Sequence, residues 1–347
     1  MKIAIDLSPL YGRKRTGVEM YAIDLYRALL ATNHQIVPIF HYINEVDNNP
    51  DAYIIPKRNR LWLENVSLSH AVRKIDADIV IFPIFPPPVD LYWRCKSKIY
   101  QTIHDTVFLR YRDTQNFAAK YYHLPKVKLA MKKLDGIVTI SETVKEQLCH
   151  YTKLPIINLG ENISSDYLDA NKKTDVNKIS KWNLQPSNYY ISVSTIEPRK
   201  NFDYLLEVIT PVLKEQKKKL VLVGRKGWGN NERLKKLIEL AGDNLIFTDY
   251  IETEILFSLY HYAYAFVLLS KDEGFGRTPF EAVACGCKRV ILSDIAIFHE
   301  TFDCQALYLP LDNINEAQRR IKGELIEANN VNIPFHSMET RVKKWLD

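Results

Sequence analysis

SKDEGFGRTPFEAVACGCKRVILSD, residues 270–294, is the stretch from which the fold of this chain can be read. The apolar run 265–269 just before it has the length and composition of a strand. Gly274 and Gly276 then permit close backbone approach in a turn, and Thr278 is expected to open a helix with Pro279 at its first position. Two carboxylates frame the turn, Glu273 in the loop and Glu281 one turn into the helix. A strand, turn and helix in this order leave backbone N–H groups free at the helix start. A phosphate or sugar oxygen beyond the strand end would be met by those donors.

With 347 residues, 46% hydrophobic and 25% charged, the chain is long enough for two domains with separate cores. No window approaches the ~18 apolar residues of a membrane span, and MKIAIDLSPLYGRK at the N-terminus reads as a first strand rather than a cleavable signal. A cytoplasmic protein is expected. Cys95, Cys149, Cys285, Cys287 and Cys304 are odd in number and scattered, which predicts reduced thiols. Cys285 and Cys287 have no neighbouring His or second Cys pair with which to build a metal site.

The net charge of +6 says little, but its distribution says more. From Arg94 to Lys133 the basic residues, Arg110, Arg112, Lys120 and Lys126 among them, face only Asp105 and Asp113, and aromatics such as Trp93, Tyr100 and Phe117 interleave them. Two readings stand: a solvated basic face over ordinary core aromatics, or attraction to an anionic membrane surface or a phosphate-bearing acceptor. Nucleic acid is set aside as a partner because no binding motif accompanies the charge.

Strand-length apolar runs alternate with amphipathic helical stretches from end to end, the pattern of parallel α/β domains. In the first half, strands are expected at 2–7, 35–40, 77–82, 98–103 and 136–140, helices at 17–31 and 117–134, and a helix capped by Ser141. The polar, lysine-rich stretch 164–186 reads as a linker, which places domains at 1–170 and 188–330, joined by 171–187. The tail 331–347 is expected to form a helix that packs back on the first domain. The second series has strands at 189–193, 219–223, 245–248, 265–269 and 289–292, with Asn201 capping a helix after the first. Neither half has GxGxxG after its first strand and no Walker A motif exists, which argues against a dinucleotide enzyme. Open parallel sheets bind ligands beyond the C-terminal ends of their strands, so two facing domains would hold one between them.

STIEPRKNFDYLLEV (194–208), LVGRKGWG (222–229) and EGFGRTPFEAVACG (273–286) resemble the donor domain of retaining GT-B glycosyltransferases, in particular glycosyltransferase family 4. SPLYGRKRTGVEMYAIDLYRAL (8–29), IHD (103–105) and IVTISETVKEQL (137–148) are similar to that family's acceptor side. The resemblance covers nearly the whole chain. It implies the α/β GT-B fold, two doubly wound Rossmann-like parallel-sheet domains facing across a cleft. It also implies transfer of a sugar from a nucleotide diphosphate sugar to a hydroxyl, with the anomeric configuration kept. No cofactor beyond that co-substrate and no essential divalent ion are implied, since fixed cations and helix dipoles take the metal's place.

Each motif has a physical reading beside the resemblance. Arg199 and Lys200, between a strand and a helix, can supply permanent positive charge to a diphosphate leaving group, the role the family gives such a pair. The resemblance assigns Glu281, second glutamate of Glu-x7-Glu, to the ribose hydroxyls, and Glu273 to the donor sugar and reacting centre. Gly274, Phe275, Gly276, Arg277 and Thr278 are candidate donor-binding residues, and so is Thr195. His104, at a strand end, is either structural or, by resemblance, in touch with the donor sugar's hydroxyls. Gly17 matches the glycine of the family's first loop, where backbone approaches diphosphate and acceptor, and the neighbouring Arg13, Lys14 and Arg15 could hold an anionic acceptor. Arg110, Arg112 and Lys120 join them as acceptor or membrane candidates. Arg225 and Lys226, in a glycine-punctuated loop, stand equally as nucleotide neighbours or as plain surface. Asp76-Ala77-Asp78 has the DxD spacing of metal-dependent transferases, but it sits directly before a buried strand and reads as helix-end polarity.

The expected function is retaining, metal-independent hexosyl transfer to a glycan or lipid-linked acceptor in surface polysaccharide or glycolipid synthesis. Mannose from GDP-mannose is the first choice on family frequency, with UDP- or dTDP-linked sugars as alternatives. A non-catalytic sugar- or membrane-binding scaffold is the rival from another class. The basic, aromatic segment suggests a place at the inner face of the cytoplasmic membrane.

Overall fold

A computed structural model of the protein describes residues 1–10, 17–41, 49–56, 59–110, 122–224, 232–323, 325 and 327–347. The chain forms two compact units, Met1–Asn162 with His336–Asp347, and Ile163–Phe335. The first holds a seven-stranded parallel sheet of β1 (Lys2–Asp6), β2 (Gln35–Phe40), β3 (Tyr53–Ile54), β4 (Ile79–Phe82), β5 (Lys98–Ile103), β6 (Gly136–Thr139) and β7 (Ile156–Asn158). The second holds a six-stranded parallel sheet of β8 (Tyr189–Val193), β9 (Lys219–Val223), β10 (Leu245–Phe247), β11 (Ala265–Leu268), β12 (Val290–Ser293) and β13 (Leu307–Leu309). Their orders are β3-β2-β1-β4-β5-β6-β7 and β10-β9-β8-β11-β12-β13, so the direction of winding reverses between β1 and β4 and again between β8 and β11. At each reversal neighbouring strands send their following loops to opposite faces, which opens a crevice at the C-terminal edge.

Helices on both faces explain why the strands read as near-continuous apolar runs. Side chains alternate along a strand, so each strand of the second sheet feeds two cores. Ile191, Val221 and Phe266 pack with Phe257 and Tyr260 of the helix Thr253–His261, whereas Tyr190, Leu220 and Val267 pack with Leu205 and Ile209 of the helix Phe202–Gln216. In the first unit Val80, Ile99 and Ile137 meet the helices Leu68–Ile75 and Leu124–Lys133. The terminal helix Ser337–Leu346 belongs to this same unit. It packs against the helix Gly17–Leu30 and sets Trp345 edge-on to Tyr100, with ring centroids 5.0 Å apart. Among the described residues no helix is long and apolar enough to cross a membrane.

Several boundaries differ from the sequence reading. The lysine-rich stretch is no linker: Ile163, Tyr167, Ala170, Ile179 and Leu184 are buried in a core of the second unit, while Lys172 and Lys173 stay exposed. Composition reported the solvated side of this segment and missed its sparse apolar anchors. The chain leaves the first unit after Asn162 and re-enters it at His336. Of the helix expected at 117–134, the described portion is Leu124–Lys133. The helix after β11 starts at Arg277, so Thr278 and Pro279 are its second and third residues and Gly276 takes the cap position at φ +83°. Strands β3, β7 and β13, of two or three residues each, are too short to announce themselves by periodicity. Asp76 ends its helix in the left-handed region and the Asp78 carboxylate accepts from Lys2 N at 2.7 Å, which accounts for the DxD pair structurally.

Gly224 shows how tightly the C-terminal edge of the second sheet is built. At φ +147°, a Cβ here would lie 2.1 Å from the Ser194 carbonyl oxygen, and backbone cannot yield as a side-chain tip can. Gly224→Ala should therefore cost about 3 kcal/mol or more in urea unfolding, from backbone strain and overpacking together. Gly242→Ala, at φ +52° with open space around it, should cost only about 1 kcal/mol, the strain alone.

Candidate active site

The reversal between β8 and β11 brings two sequence-distant loops together. After β8, residues 194–197 run out to a short 3-10 turn, Pro198–Lys200, and Asn201 at φ +57° turns the chain into the helix Phe202–Gln216. After β11 come Ser270 to Gly276. The Lys271 N–H donates to the Arg199 carbonyl at 2.9 Å, and the Ser293 hydroxyl at the end of β12 donates to the Ser270 carbonyl at 2.6 Å. These two bonds fix both loops against the sheet edge.

Glu273 sits at the centre, with its side chain only 7% exposed. Its Oε1 accepts from Lys200 Nζ at 2.6 Å and from Ser270 Oγ at 2.7 Å, and its Oε2 accepts from Arg199 Nη1 at 2.7 Å. Arg199 is held a second time by Glu197, whose Oε1 accepts from Nη2 at 2.7 Å and Nε at 3.1 Å, and a third time by the Asp272 carbonyl at 3.2 Å. Burial alone would raise the Glu273 pKa. The adjacent Lys200 and Arg199 charges and the hydrogen bonds from Lys200 and Ser270 overcome this and pull it to about 2. Glu273 is therefore a carboxylate at neutral pH and cannot serve as an acid.

Glu281 lies in the next helix, Arg277–Ala284, and its environment has the opposite effect. Burial raises its pKa, and the Arg277 guanidinium, with Nε 3.8 Å from the carboxylate, and the Tyr167 and Tyr260 hydroxyls only partly offset it. The helix start carries no side-chain cap, and Pro279 in its first turn has no N–H to satisfy. Gly276 is required at the cap, because a Cβ would come within 2.7 Å of the Phe298 ring. Phe275 stacks on Phe280 at 5.4 Å, which seats the Gly-Phe-Gly turn on the core. Gly274 lies in this same turn.

The structure thus assembles Glu273, Arg199 and Lys200 in one ion cluster, with Glu281 and Arg277 one turn further on. Thr195 is exposed in the loop after β8, beside the Ser194 carbonyl that Gly224 approaches. His104, Gly17 and Arg110 belong to the first unit. His104 Nε2 lies 2.7 Å from the Pro83 carbonyl, which only accepts, so Nε2 carries the proton, and the ring meets Tyr21 edge-on. Gly17 starts the helix Gly17–Leu30, and exposed Arg110 donates to Gln147 at 3.4 Å. Arg13, Lys14, Arg15, Arg112, Lys120, Arg225 and Lys226 lie outside the described residues. The sequence reading missed Ser270, Glu197, Tyr167 and Tyr260. The first two stand three and two residues from Glu273 and Arg199, a spacing that could have suggested them, but nothing local points to the tyrosines.

Residues 175–321 match the family described as Glycosyl transferases group 1, and residues 15–157 match Glycosyltransferase Family 4. The O-antigen chain mannosyltransferase RfbU of Salmonella typhimurium is 30% identical over 254 residues, 71% of this chain and 68% of that protein. The chain belongs to glycosyltransferase family 4. A second relative of this glycosyltransferase, the serotype-specific mannosyltransferase WbdA of Escherichia coli, is 29% identical over 264 residues, 68% of this chain. The match spans only 31% of WbdA itself. Among solved structures, Anabaena HepE, crystallised with UDP-glucose, superposes with a TM-score of 0.66 at 14% identity, covering 100% of this chain and 99% of its own. At that identity the likeness speaks for the GT-B fold alone.

The low pKa of Glu273 makes stability pH-dependent with a defined sign. Its folded value of about 2 lies below the usual 4.5, so the cluster stabilises the fold fully above about pH 4.5 and loses that contribution as pH falls toward 2. The shift corresponds to something on the order of 3 kcal/mol at neutral pH. Glu273→Gln should accordingly lower unfolding free energy markedly at pH 7, and the gap to wild type should shrink to about half by pH 3. Paired urea titrations at the two pH values would show it, and a pH-independent gap would contradict the ion cluster.

Proposed function

We propose that this glycosyltransferase is a retaining, metal-independent hexosyltransferase. It moves mannose from GDP-mannose to a hydroxyl of a lipid-linked glycan during assembly of an O-antigen-type surface polysaccharide. The observation that carries the transfer chemistry is the pair Arg199 and Lys200, oriented by one buried carboxylate at the strand-order reversal. Departure of a nucleoside diphosphate builds negative charge on phosphate oxygen. Two cations that are already fixed and partly desolvated stabilise that charge without reorganising when it forms. Permanent positive charge on Arg199 and Lys200 does here what a divalent ion would otherwise do. The mannosyltransferase names of the relatives RfbU and WbdA support the choice of sugar and pathway.

Retention follows if the acceptor hydroxyl attacks C1 from the face the nucleotide leaves. The bond from C1 to the diphosphate oxygen breaks, the bond from C1 to the acceptor oxygen forms, and the acceptor's proton passes to the departing diphosphate. No enzymatic acid is needed, in keeping with an ionised Glu273. Of the four lone-pair sites on that carboxylate three are occupied by Lys200, Ser270 and Arg199. The remaining site, on Oε2, is available to one sugar hydroxyl. Glu281 would receive the ribose hydroxyls, whose donated hydrogen bonds favour its ionised form against the burial that opposes it.

Incubating the protein with GDP-mannose, UDP-glucose and a dTDP-sugar, with chelator present, and following nucleoside diphosphate release tests the reading. NMR of the glycosidic product reports the anomeric configuration. GDP release with an α-linked product is expected. UDP or dTDP release instead would correct the base, and release from no donor would point to a scaffold. Arg199→Ala and Lys200→Ala should each lower kcat by about 10²–10³, as loss of one transition-state charge contact does. Glu281→Ala should act mainly on the donor KM.

A further inference from the structure

Away from the ion cluster, one side chain of the first unit is at odds with its surroundings. Gln101 lies on β5, an interior strand flanked by β4 and β6. Side chains alternate along a strand, so Gln101 shares a face with Ile99 and Ile103. Those two, together with Phe82 and Ile137 level with Gln101 on the neighbouring strands, are buried in one apolar core with the helix Leu124–Lys133. Gln101 is 3% exposed, and among the described residues nothing donates to its Oε1. Buried amides are normally paired, because burial strips their hydration and only a hydrogen bond replaces it. Folding alone gives no reason for a glutamine at this position.

The same face holds a cavity of about 220 Å³. Its walls are mostly apolar: Ile84, Phe85 and Pro86 from the loop after β4, Phe108 from the short helix after β5, and Leu124 and Val127 from the longer helix. Buried Gln101 lines its inner part, and half-buried His104, Asp105 and His123 line the outer part. Along β5 the step from Gln101 to His104 is about 10 Å, so the two ends are well separated. A single water needs only about 10–15 Å³, and this cavity has room for a much larger group. His123 stacks on Phe85 with ring centroids 5.3 Å apart, and burial lowers its pKa, which keeps the imidazole neutral.

An occupant has to satisfy one buried amide and otherwise present apolar surface to the inner wall. A hydrocarbon chain would leave the amide unpaired, and the edge of a plain sugar ring would set hydroxyls against Phe108, Leu124 and Val127. We propose that this cavity takes the acetamido group of an N-acetylated sugar in the acceptor, with Gln101 reading its amide. The acetamido N–H would donate to Gln101 Oε1, its carbonyl would accept from Nε2, and its methyl would face the apolar wall. Ring hydroxyls would then reach Asp105 and neutral His123 in the outer part. This assignment rests on the acceptor glycan proposed above and names a chemical group within it. His104, a candidate for the donor sugar, lines the same cavity, which sets the N-acetylated residue at or next to the one that receives the hexose.

Saturation-transfer NMR on the full chain, with methyl N-acetylglucosaminide and methyl glucoside as probes and no nucleotide sugar present, provides the test. The acetyl methyl is expected to take up the strongest saturation, and the plain glucoside should bind about tenfold more weakly. Gln101→Leu and Gln101→Met should each remove that difference, with melting temperatures equal to or above wild type, since no protein partner of Oε1 is lost. In transfer assays an acceptor ending in the N-acetylated sugar should exceed the counterpart without the acetamido group in kcat/KM by about 10²-fold. Equal binding of the two glycosides, or a preference that survives both Gln101 changes, would overturn the proposal. So would the absence of binding by either glycoside, since Gln101 would then hold water only. Lowered melting of both variants would reveal a partner within the fold and count against it equally. Glycoside binding requires no donor, so it can fail while nucleotide release succeeds, or the reverse, and the two readings are judged separately.

Discussion

One buried carboxylate, shared by two cations from a distant loop, organises the second unit's working edge. Burying Glu273 without partners would be costly, and Arg199 and Lys200 at 2.7 and 2.6 Å turn that cost into a requirement that the loops after β8 and β11 meet. Ser270, the Asp272 carbonyl and Glu197 supply the remaining hydrogen bonds, which is the condition under which a buried ion group holds one geometry. In the proposed transfer, the same contacts that hold the loops would present two positive charges to a departing diphosphate.

That cluster depends in turn on the sheet. Only at a reversal of strand order do the helices that follow neighbouring parallel strands lie on opposite faces, leaving a crevice at the sheet edge where the two loops can meet. Two glycines protect the arrangement. Gly224, directly after β9, lies against the Ser194 carbonyl where no Cβ would fit, and Gly276 lets the helix carrying Glu281 begin against Phe298. The two glutamates, eight positions apart in the chain, therefore sit in opposed environments: cations hold Glu273 ionised, while burial pushes the Glu281 pKa up.

Much of this was legible in the residues. The alternation of apolar runs and amphipathic stretches gave the parallel α/β class, because strands covered on both faces have few polar positions. The motifs around Arg199, Glu273 and Glu281 gave the family. The domain boundary was not legible, since lysines on the solvated side of 163–187 outweighed Ile163, Ile179 and Leu184 in any compositional window. The helix start after β11 was misplaced by two residues, because Gly276 caps it through a left-handed backbone conformation rather than through a side chain. Tyr167 and Tyr260 gave no signal at all, being ordinary buried aromatics until folding brings them to Glu281.

By itself the sequence determined the fold class, the presence of two glutamates and a basic pair beside strand ends, and the family to which they belong. The first two follow from local periodicity and spacing, which a linear chain carries in full, and the family follows from the resemblance of its ordered motifs to known members. Only the tertiary structure decided that Arg199 and Lys200 spend their charge on Glu273, that Glu197 and Ser270 complete the set, and that Glu281 is pushed toward its neutral form. Ionisation and hydrogen bonding depend on burial and on distances of a few ångströms, and those distances join residues more than seventy positions apart.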